Sequence, residues 1–322
     1  MALWTEIVRP AELTAFSRTA GDALDVGALN AILPNTYQDE VKFSWRINEV
    51  LSELAEFGEF DTEAPIGGKG KSKEQTIRLI PVMLKKRLSE YEQVTDPERV
   101  RQLADDRAVE VVTSILNRLN KARAEALVTG KLELNENKVI QTVNFGRKAS
   151  HTVTATTLWS ATGADPIADL RGWFDLVSDD SGVMPDAAIT SSRVLRSVGG
   201  ALAGAGYITG NSPTVSQSVV NEVLAAFGLP SLTVDDRKIG GVRLVPDDRI
   251  IVAPTGGVAG ATVYAPTVES SDPRFALASG DRSGIVAGLY REDDPPVAWV
   301  IGKAVALPIL ANPDTTLAAK VL

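Results

Sequence analysis

Apolar residues recur at helical spacing over one long stretch, residues 96–129, where Val100, Leu103, Val111, Ile115, Leu119, Ala122 and Ala126 share a face. Thr95 or Asp96 can cap its start, Pro97 suits the first turn and Gly130 stops it. At ~1.5 Å per residue this predicts a helix roughly 50 Å long, more than a compact domain ordinarily uses. The stripe is diluted by alanine and lacks sustained Leu or Ile at both heptad core positions, which favours a helix lying across a sheet over a coiled coil.

Before this helix the pattern is irregular. Residues 1–45 predict one short helix near Pro10–Thr19 and no core of their own, with Trp4, Leu33, Phe43 and Trp45 as anchors on another surface. In residues 46–92 an acidic stretch (Glu53, Glu56, Glu59, Asp61, Glu63) precedes a glycine-rich turn. A basic run follows, from Lys69, Lys71 and Lys73 to Lys85, Lys86 and Arg87. This predicts a two-stranded excursion with a glycine tip. A lone hairpin is barely stable in water, so the excursion is either a solvated surface hairpin or an extended loop that finds its packing on a neighbouring subunit.

After residue 130 the texture turns to strands at Lys138–Phe145 and His151–Leu158. A helix opens at Asp165-Pro166 and runs over 166–178. Ala187–Thr190, Leu232–Val234, Val242–Leu244 and Arg249–Val252 predict strands, and Ser191–Ala203 and Val215–Phe227 helices. Ala298–Leu310 predicts a long apolar strand broken by Pro308.

Composition then removes whole classes of chemistry. The chain has 322 residues, 44% hydrophobic and 23% charged, with no cysteine and a single histidine, His151. Thiol nucleophiles, thiolate zinc sites and disulfides are excluded, and so is a multi-histidine metal site. His151 lies in a polar β-branched run and is expected on a strand surface. The net charge of −8 argues against a dedicated nucleic-acid binder, which needs clustered cations. There is no apolar run long enough to span a bilayer and no basic n-region at the start, so cytoplasmic synthesis is expected.

Motif fragments do not assemble into a catalytic site. Gly70-Lys71-Ser72 has the ending of a phosphate-binding loop, but Pro65 occupies the position of its first glycine. Gly199-Gly200 to Gly206 lacks the dinucleotide-binding spacing and follows a helical stretch where a strand is needed. The pairs Asp179-Asp180, Asp235-Asp236, Asp247-Asp248 and Asp293-Asp294 read as solvated turns without calcium-loop spacing.

Several segments nevertheless occur in a telling order. They are Leu33-Pro34-Asn35-Thr36-Tyr37, Val143-Asn144-Phe145-Gly146-Arg147, and Trp159 followed by Ala164-Asp165-Pro166-Ile167-Ala168-Asp169-Leu170. Leu244 to Val252, Gly260 to Tyr264 and Ala306 to Asp314 follow. In this order the chain resembles the lambda-like tailed-bacteriophage major capsid proteins, whose corresponding strand reads V-D-F-G, with Asn144 here in place of the aspartate. The resemblance implies an α+β fold, the tailed-phage major capsid fold. Its parts are an N-terminal arm (1–45), an extended β-hairpin loop (46–92) and a peripheral domain with a long spine helix on a β-sheet (93–165), a sheet expected to contain Lys138–Phe145 and Ala298–Leu310. An axial domain (166–294) and a C-terminal strand returning to the peripheral domain (295–322) complete it.

It further implies a non-enzymatic shell subunit without cofactors, assembling with itself into hexamers and pentamers around packaged DNA in the virion. Because only about forty residues precede the loop, a separate scaffolding protein is expected, with a portal and a decoration protein as further partners. Trp4, Trp45, Glu53, Glu56, Glu59, Lys69, Lys71, Lys73, Lys85, Lys86 and Arg87 are the candidate inter-subunit contacts. An encapsulin-like compartment shell shares the fold and is the alternative. A hydrolase with an acidic site in 165–300, using Asp247 or Asp248, is the reading from another class.

Overall fold

The computed structural model describes residues 1–48, 72–94, 97–208 and 215–322. Its first elements are β1 (Ala2–Leu3), α1 (Pro10–Leu24), α2 (Ala28–Ile32), β2 (Asn35–Tyr37), β3 (Lys42–Asn48), β4 (Ser72–Arg78), β5 (Pro81–Leu88), α3 (Glu90–Gln93) and α4 (Pro97–Thr129). Then come β6 (Lys131–Glu136), β7 (Val139–Asn144), β8 (Thr152–Thr154), α5 (Pro166–Ser181), β9 (Ala187–Thr190), α6 (Ser192–Gly204) and α7 (Gln217–Ala226). The remaining strands are β10 (Leu232–Val234), β11 (Lys238–Ile239), β12 (Val242–Arg243), β13 (Arg249–Ala253), β14 (Ala261–Ala265), β15 (Val286–Arg291), β16 (Ala298–Ile309) and β17 (Leu317–Lys320).

The long helix α4 is as the periodicity predicts, 33 residues from Pro97, although its capping residues 95–96 lie outside the described residues. Val100, Ala104, Ala108, Val111, Ile115, Leu119, Ala122 and Ala126 form a buried stripe stepping by three or four residues. Val112, Leu116, Arg123 and Leu127 bury a second stripe beside it. Burial on two sides explains the alanine dilution that argued against a coiled coil. Small residues also let the helix lie close on β16: a Cβ built on Gly302 would meet Val111 Cγ1 at 2.4 Å.

Strand β16 is the centre of a six-stranded sheet. Along one edge it pairs antiparallel with β5 from Ala298↔Leu88 to Val305↔Pro81. Along the other it pairs first with β15 and then with β14. β1 extends β15, and β2 runs parallel to β14. Pro308 does not break the strand as expected. The β5 ladder ends at Val305, so β16 has a single neighbouring strand at Pro308, where proline is tolerated.

A five-stranded sheet, in the order β10-β9-β13-β17-β8, forms the second layer system. Helices α5, α6 and α7 cover it through Phe174, Val177, Val194, Val198, Val220 and Leu224, which share a core with Ile250, Val252, Leu317 and Ala319. The helix starts are locally encoded: Asp165, Ser191 and Ser216 each accept a hydrogen bond from backbone N–H groups of the turn they cap.

Four expectations need correction. Lys138–Phe145 does not enter the main sheet, because β7 pairs with β6 in its own two-stranded ladder, packed on the C-terminal half of α4. The strands also cross the expected domain boundaries. β14 and β15, from 166–294, lie in the sheet under α4, while β17, from 295–322, and β8, from 93–165, join the five-stranded sheet.

The first 45 residues are not a loose lead. Helix α1 buries Pro10, Leu13, Thr14, Ser17 and Gly21 on the body of its own chain, and Thr14 Oγ1 donates to Ala287 O at 3.0 Å. In residues 46–92, β3 does pair with β4 from Lys42↔Arg78 to Asn48↔Ser72, but β5 leaves this ladder for the main sheet. The glycine tip falls outside the described residues.

Candidate assembly surfaces and motif sites

The residues singled out as inter-subunit contacts separate into three groups. Trp45 is 6% exposed and packs in its own subunit between Phe43 and Phe145, at ring distances of 6.1 and 6.3 Å. Leu33 is fully buried there too, so the surface that these anchors occupy is their own chain. Trp4 is half-buried under the Arg291 guanidinium, 4.8 Å from its ring.

The basic end of the loop sits on β5. Lys85 Nζ lies 4.3 Å above the Trp299 ring, Lys86 pairs with Glu110 of α4 at 3.2 Å, and Arg87 stands opposite Trp299 in register. Lys86 holds the Glu110 carboxyl below the usual range, and Arg107 adds to the effect. Lys73 stands opposite Ile47 in the β3–β4 ladder. Glu53, Glu56, Glu59, Lys69 and Lys71 lie outside the described residues.

Between β5, α4, the β6–β7 hairpin and the end of β16 runs a groove of about 280 Å³. Ile80, Leu84, Ile115, Leu119, Val139 and Leu307 make its lining largely apolar. Nearby Met83 is 58% exposed and Ile140 84% exposed, so apolar surface continues beyond the groove.

The ordered motifs turn out to be joints of the fold. In Val143-Asn144-Phe145-Gly146-Arg147, Phe145 is fully buried, Asn144 Oδ1 accepts from Gly146 N at 3.0 Å, and Gly146 takes φ +82°. That turn aims Arg147 at the end of α4, where its guanidinium donates to Leu127 O at 2.6 Å and Val128 O at 2.8 Å. A cation here satisfies orphan carbonyls and opposes the negative end of the helix dipole. Burial pushes the Arg147 guanidinium down to about 10.

In the second motif Trp159, 2% exposed, donates Nε1 to Asp169 Oδ2 at 2.8 Å, while Asp165 caps α5. The two acids of Ala164 to Leu170 therefore have separate tasks: one starts the helix and the other holds the tryptophan over it.

The densest polar site is one the sequence reading missed. Arg123 of α4 is fully buried and donates to Asp25 Oδ1 at 2.6 Å, Asn35 Oδ1 at 2.6 Å, Thr262 Oγ1 at 2.7 Å and Asn120 Oδ1 at 3.0 Å. It ties the segment after α1, strand β2 and strand β14 to the spine helix. Burial by itself would raise the Asp25 carboxyl; hydrogen bonds and charge from Arg123 outweigh it, and Asp25 sits below the ordinary carboxylate range. The only available signal was a lone arginine inside an apolar helical stripe, and its partners are 3 to 139 residues away.

His151 is also not where its neighbourhood predicted. It is fully buried in the turn before β8, with Nδ1 3.0 Å from Thr316 O and Nε2 2.9 Å from Asp180 Oδ2. Hydrogen bonds from Lys148 and His151 lower the Asp180 carboxyl. Those partners come from α5 and the turn before β17, so the local polar run could not reveal them.

Of the other fragments, Gly70 and Lys71 lie outside the described residues, and the rest are placed by local structure. Gly199 and Gly200 lie inside α6, which removes the dinucleotide reading. Asp247 pairs with Arg243 at 2.7 Å, and Asp248 lies near Arg249 and Lys320 at 3.9 and 3.8 Å. Among the described residues there is no group of three metal-ligating side chains, and no helix is long and apolar enough to cross a membrane.

Comparison with known proteins agrees with the geometry. The family model described as phage major capsid protein E matches residues 53–321. The chain belongs to this family. Its fold is that of solved capsid structures. A prophage protein of E. coli CFT073 assigned as a capsid protein aligns with a TM-score of 0.66 at 15% identity, over 98% of this chain and 99% of that one. The mature capsid of bacteriophage PhiM1 gives 0.51 at 9% identity over 92% and 87%. A virus-like particle from Pyrococcus furiosus gives 0.51 at 12% identity over 96% and 98%. No curated protein matches the sequence at a significant level. As a member of the phage major capsid protein E family, this chain is a structural protein of the virion, and its sites are read as joints and contacts.

Proposed function

We propose that this capsid protein self-assembles into hexamers and pentamers that close into an icosahedral head around packaged DNA. The carrying observation is the family match over residues 53–321, together with a fold that aligns end to end with a prophage capsid protein. In this reading α4 and the six-stranded sheet form the peripheral domain, and the five-stranded sheet with α5–α7 forms the axial domain. The apolar groove beside β5 and the β3–β4 ladder are then surfaces completed by neighbouring copies, since a hydrophobic recess gains most when a partner excludes its water. Trp4, Lys73, Lys85, Lys86, Arg87 and the charged residues of 53–71 remain the proposed contacts. A scaffolding protein and a portal are the expected partners, and a decoration protein is a further one. Synthesis in the host cytoplasm precedes assembly. The net charge of −8 keeps a shell of such subunits from gripping the genome.

An encapsulin-like compartment shell, which would be built on the same fold, is the second reading. Sedimentation of the purified chain, with and without a scaffolding partner, tests the assembly; a compact monomer under all conditions contradicts both readings. Nuclease-protected DNA inside particles from infected cells favours the head, and protein cargo favours the compartment.

A further inference from the structure

A second cavity of about 280 Å³ lies between α1, β2, β14 and the turn before β15. Arg18, Asp22, Asp25 and Asp281 line it, with the phenols of Tyr37 and Tyr264. Asp25 is already engaged by Arg123 and Asn35. Asp22 and Asp281 are exposed, and neither forms an ion pair with another described residue. The recess therefore holds two uncommitted carboxylates against the single cation Arg18.

An acidic lining alone does not make a site, and two further features point to an occupant. Tyr264 is 2% exposed, yet its hydroxyl has no hydrogen-bond partner among the described residues. Its ring lies 5.4 Å from that of Tyr37, which is 58% exposed and presents an aromatic face beside the cavity. Arg18 donates Nε to Ile285 O at 3.0 Å, but its Nη2 is buried without an acceptor. The Tyr264 hydroxyl is not sealed off like Arg18 Nη2, so a donor that enters the recess can reach it.

We propose that this cavity is the socket for a lysine or arginine side chain from a second copy of the chain. The inserted cation lies between Asp22 and Asp281, donates to the Tyr264 oxygen and rests against the Tyr37 ring. Net negative charge, an aromatic wall and an unpartnered phenol oxygen fit a basic side chain better than an anion or an apolar group.

This inference rests on the assembly reading above. The test compares the full-length chain with the Asp22→Asn/Asp281→Asn variant, both substitutions being at exposed positions. Circular dichroism and melting of the unassembled subunit are expected to be unchanged. Assembly followed by light scattering should need about tenfold more variant protein, the size of effect a desolvated charge pair has. If the double variant misfolds, Asp281→Asn alone takes the same measurement. In a density map of wild-type particles, a basic side chain continuous with the neighbouring chain is expected between Asp22 and Asp281.

Equal assembly of wild type and variant, an empty socket, or density detached from any chain (a free polyamine) would overturn the inference while leaving the assembly reading intact. A wild-type chain that never associates would contradict the assembly reading itself, and the socket would fall with it.

Discussion

Arg123 Nη1 and Asp25 Oδ1 lie 2.6 Å apart with 0% and 3% of their side chains exposed, so the spine helix and the segment after α1 are joined by a fully buried ion pair. Removing one partner leaves the other charge uncompensated in the interior, at a cost of about 3–5 kcal/mol. Arg123→Ala and Asp25→Ala are each expected to lower the melting temperature sharply or to give insoluble protein. An Arg123→Met/Asp25→Leu pair should recover part of the loss, because apolar replacements of similar volume leave no orphan charge. Thermal denaturation of the four proteins checks this, and additive losses in the pair would contradict it.

The same carboxyl gives a pH dependence with a defined sign. Asp25 and Asp180 both have folded-state pKa values below the ordinary range, so their contribution is fully present above the unfolded pKa of about 3.9 and fades as pH falls through the folded value. Melting followed downward from pH 6 should show stability falling chiefly below about pH 4. Asp180→Asn should flatten part of that decline, whereas an unchanged curve would mean that Lys148 and His151 do not engage the carboxyl.

Close approach of α4 to β16 can be probed from both sides. Ile115 is 1% exposed and its Cδ1 lies 3.5 Å from the Cβ position of Gly302. Ile115→Ala should cost about 2–5 kcal/mol through the cavity it leaves. Gly302→Ala should destabilise by about 1–3 kcal/mol for the opposite reason, forcing Val111 aside. Arg118→Ala removes only the exposed pairing with Glu136 and is expected to change folding by about 0–1 kcal/mol. Urea denaturation should rank both core variants below Arg118→Ala; the reverse order would mean that the helix is rotated.

The motif joint at α5 is testable in the same way. Trp159→Phe keeps an aromatic ring but loses the hydrogen bond to Asp169, for about 1 kcal/mol, and leaves a void where the rest of the indole packed, for about 1–3 kcal/mol more. Asp165→Ala removes the cap, for about 0.5–2 kcal/mol. Neither change should alter the secondary structure content seen by circular dichroism.

These sites show where the sequence was readable. Elements whose pattern is local came through closely: α4 from its stripe, α5 from Asp165-Pro166, and β9 and β13 from apolar runs. The family was legible because Phe145, Trp159 and Asp165 are structural joints that leave short, ordered signatures.

What stayed hidden depends on distant partners. His151 looked like a strand surface residue because Thr316 and Asp180 are 165 and 29 residues away. Residues 1–45 looked loose because the body that α1 and β2 cover is built from β14, β15 and α4. Lys138–Phe145 pairs with β6 and not in the main sheet, because alternation gives a strand but not its neighbour. Contacts between copies were inferred from charge along 46–92, and of that run the described residues include Lys73 in β4 and the β5 end.

Cryo-electron microscopy of the purified full-length chain, alone and co-expressed with a scaffolding partner, tests the central claim most directly. The account predicts closed shells of hexamers and pentamers in which α4 and the six-stranded sheet recur in every subunit and neighbouring copies cover the groove beside β5. A field of monomers in both preparations, or ordered assemblies without pentamers and hexamers, would contradict it.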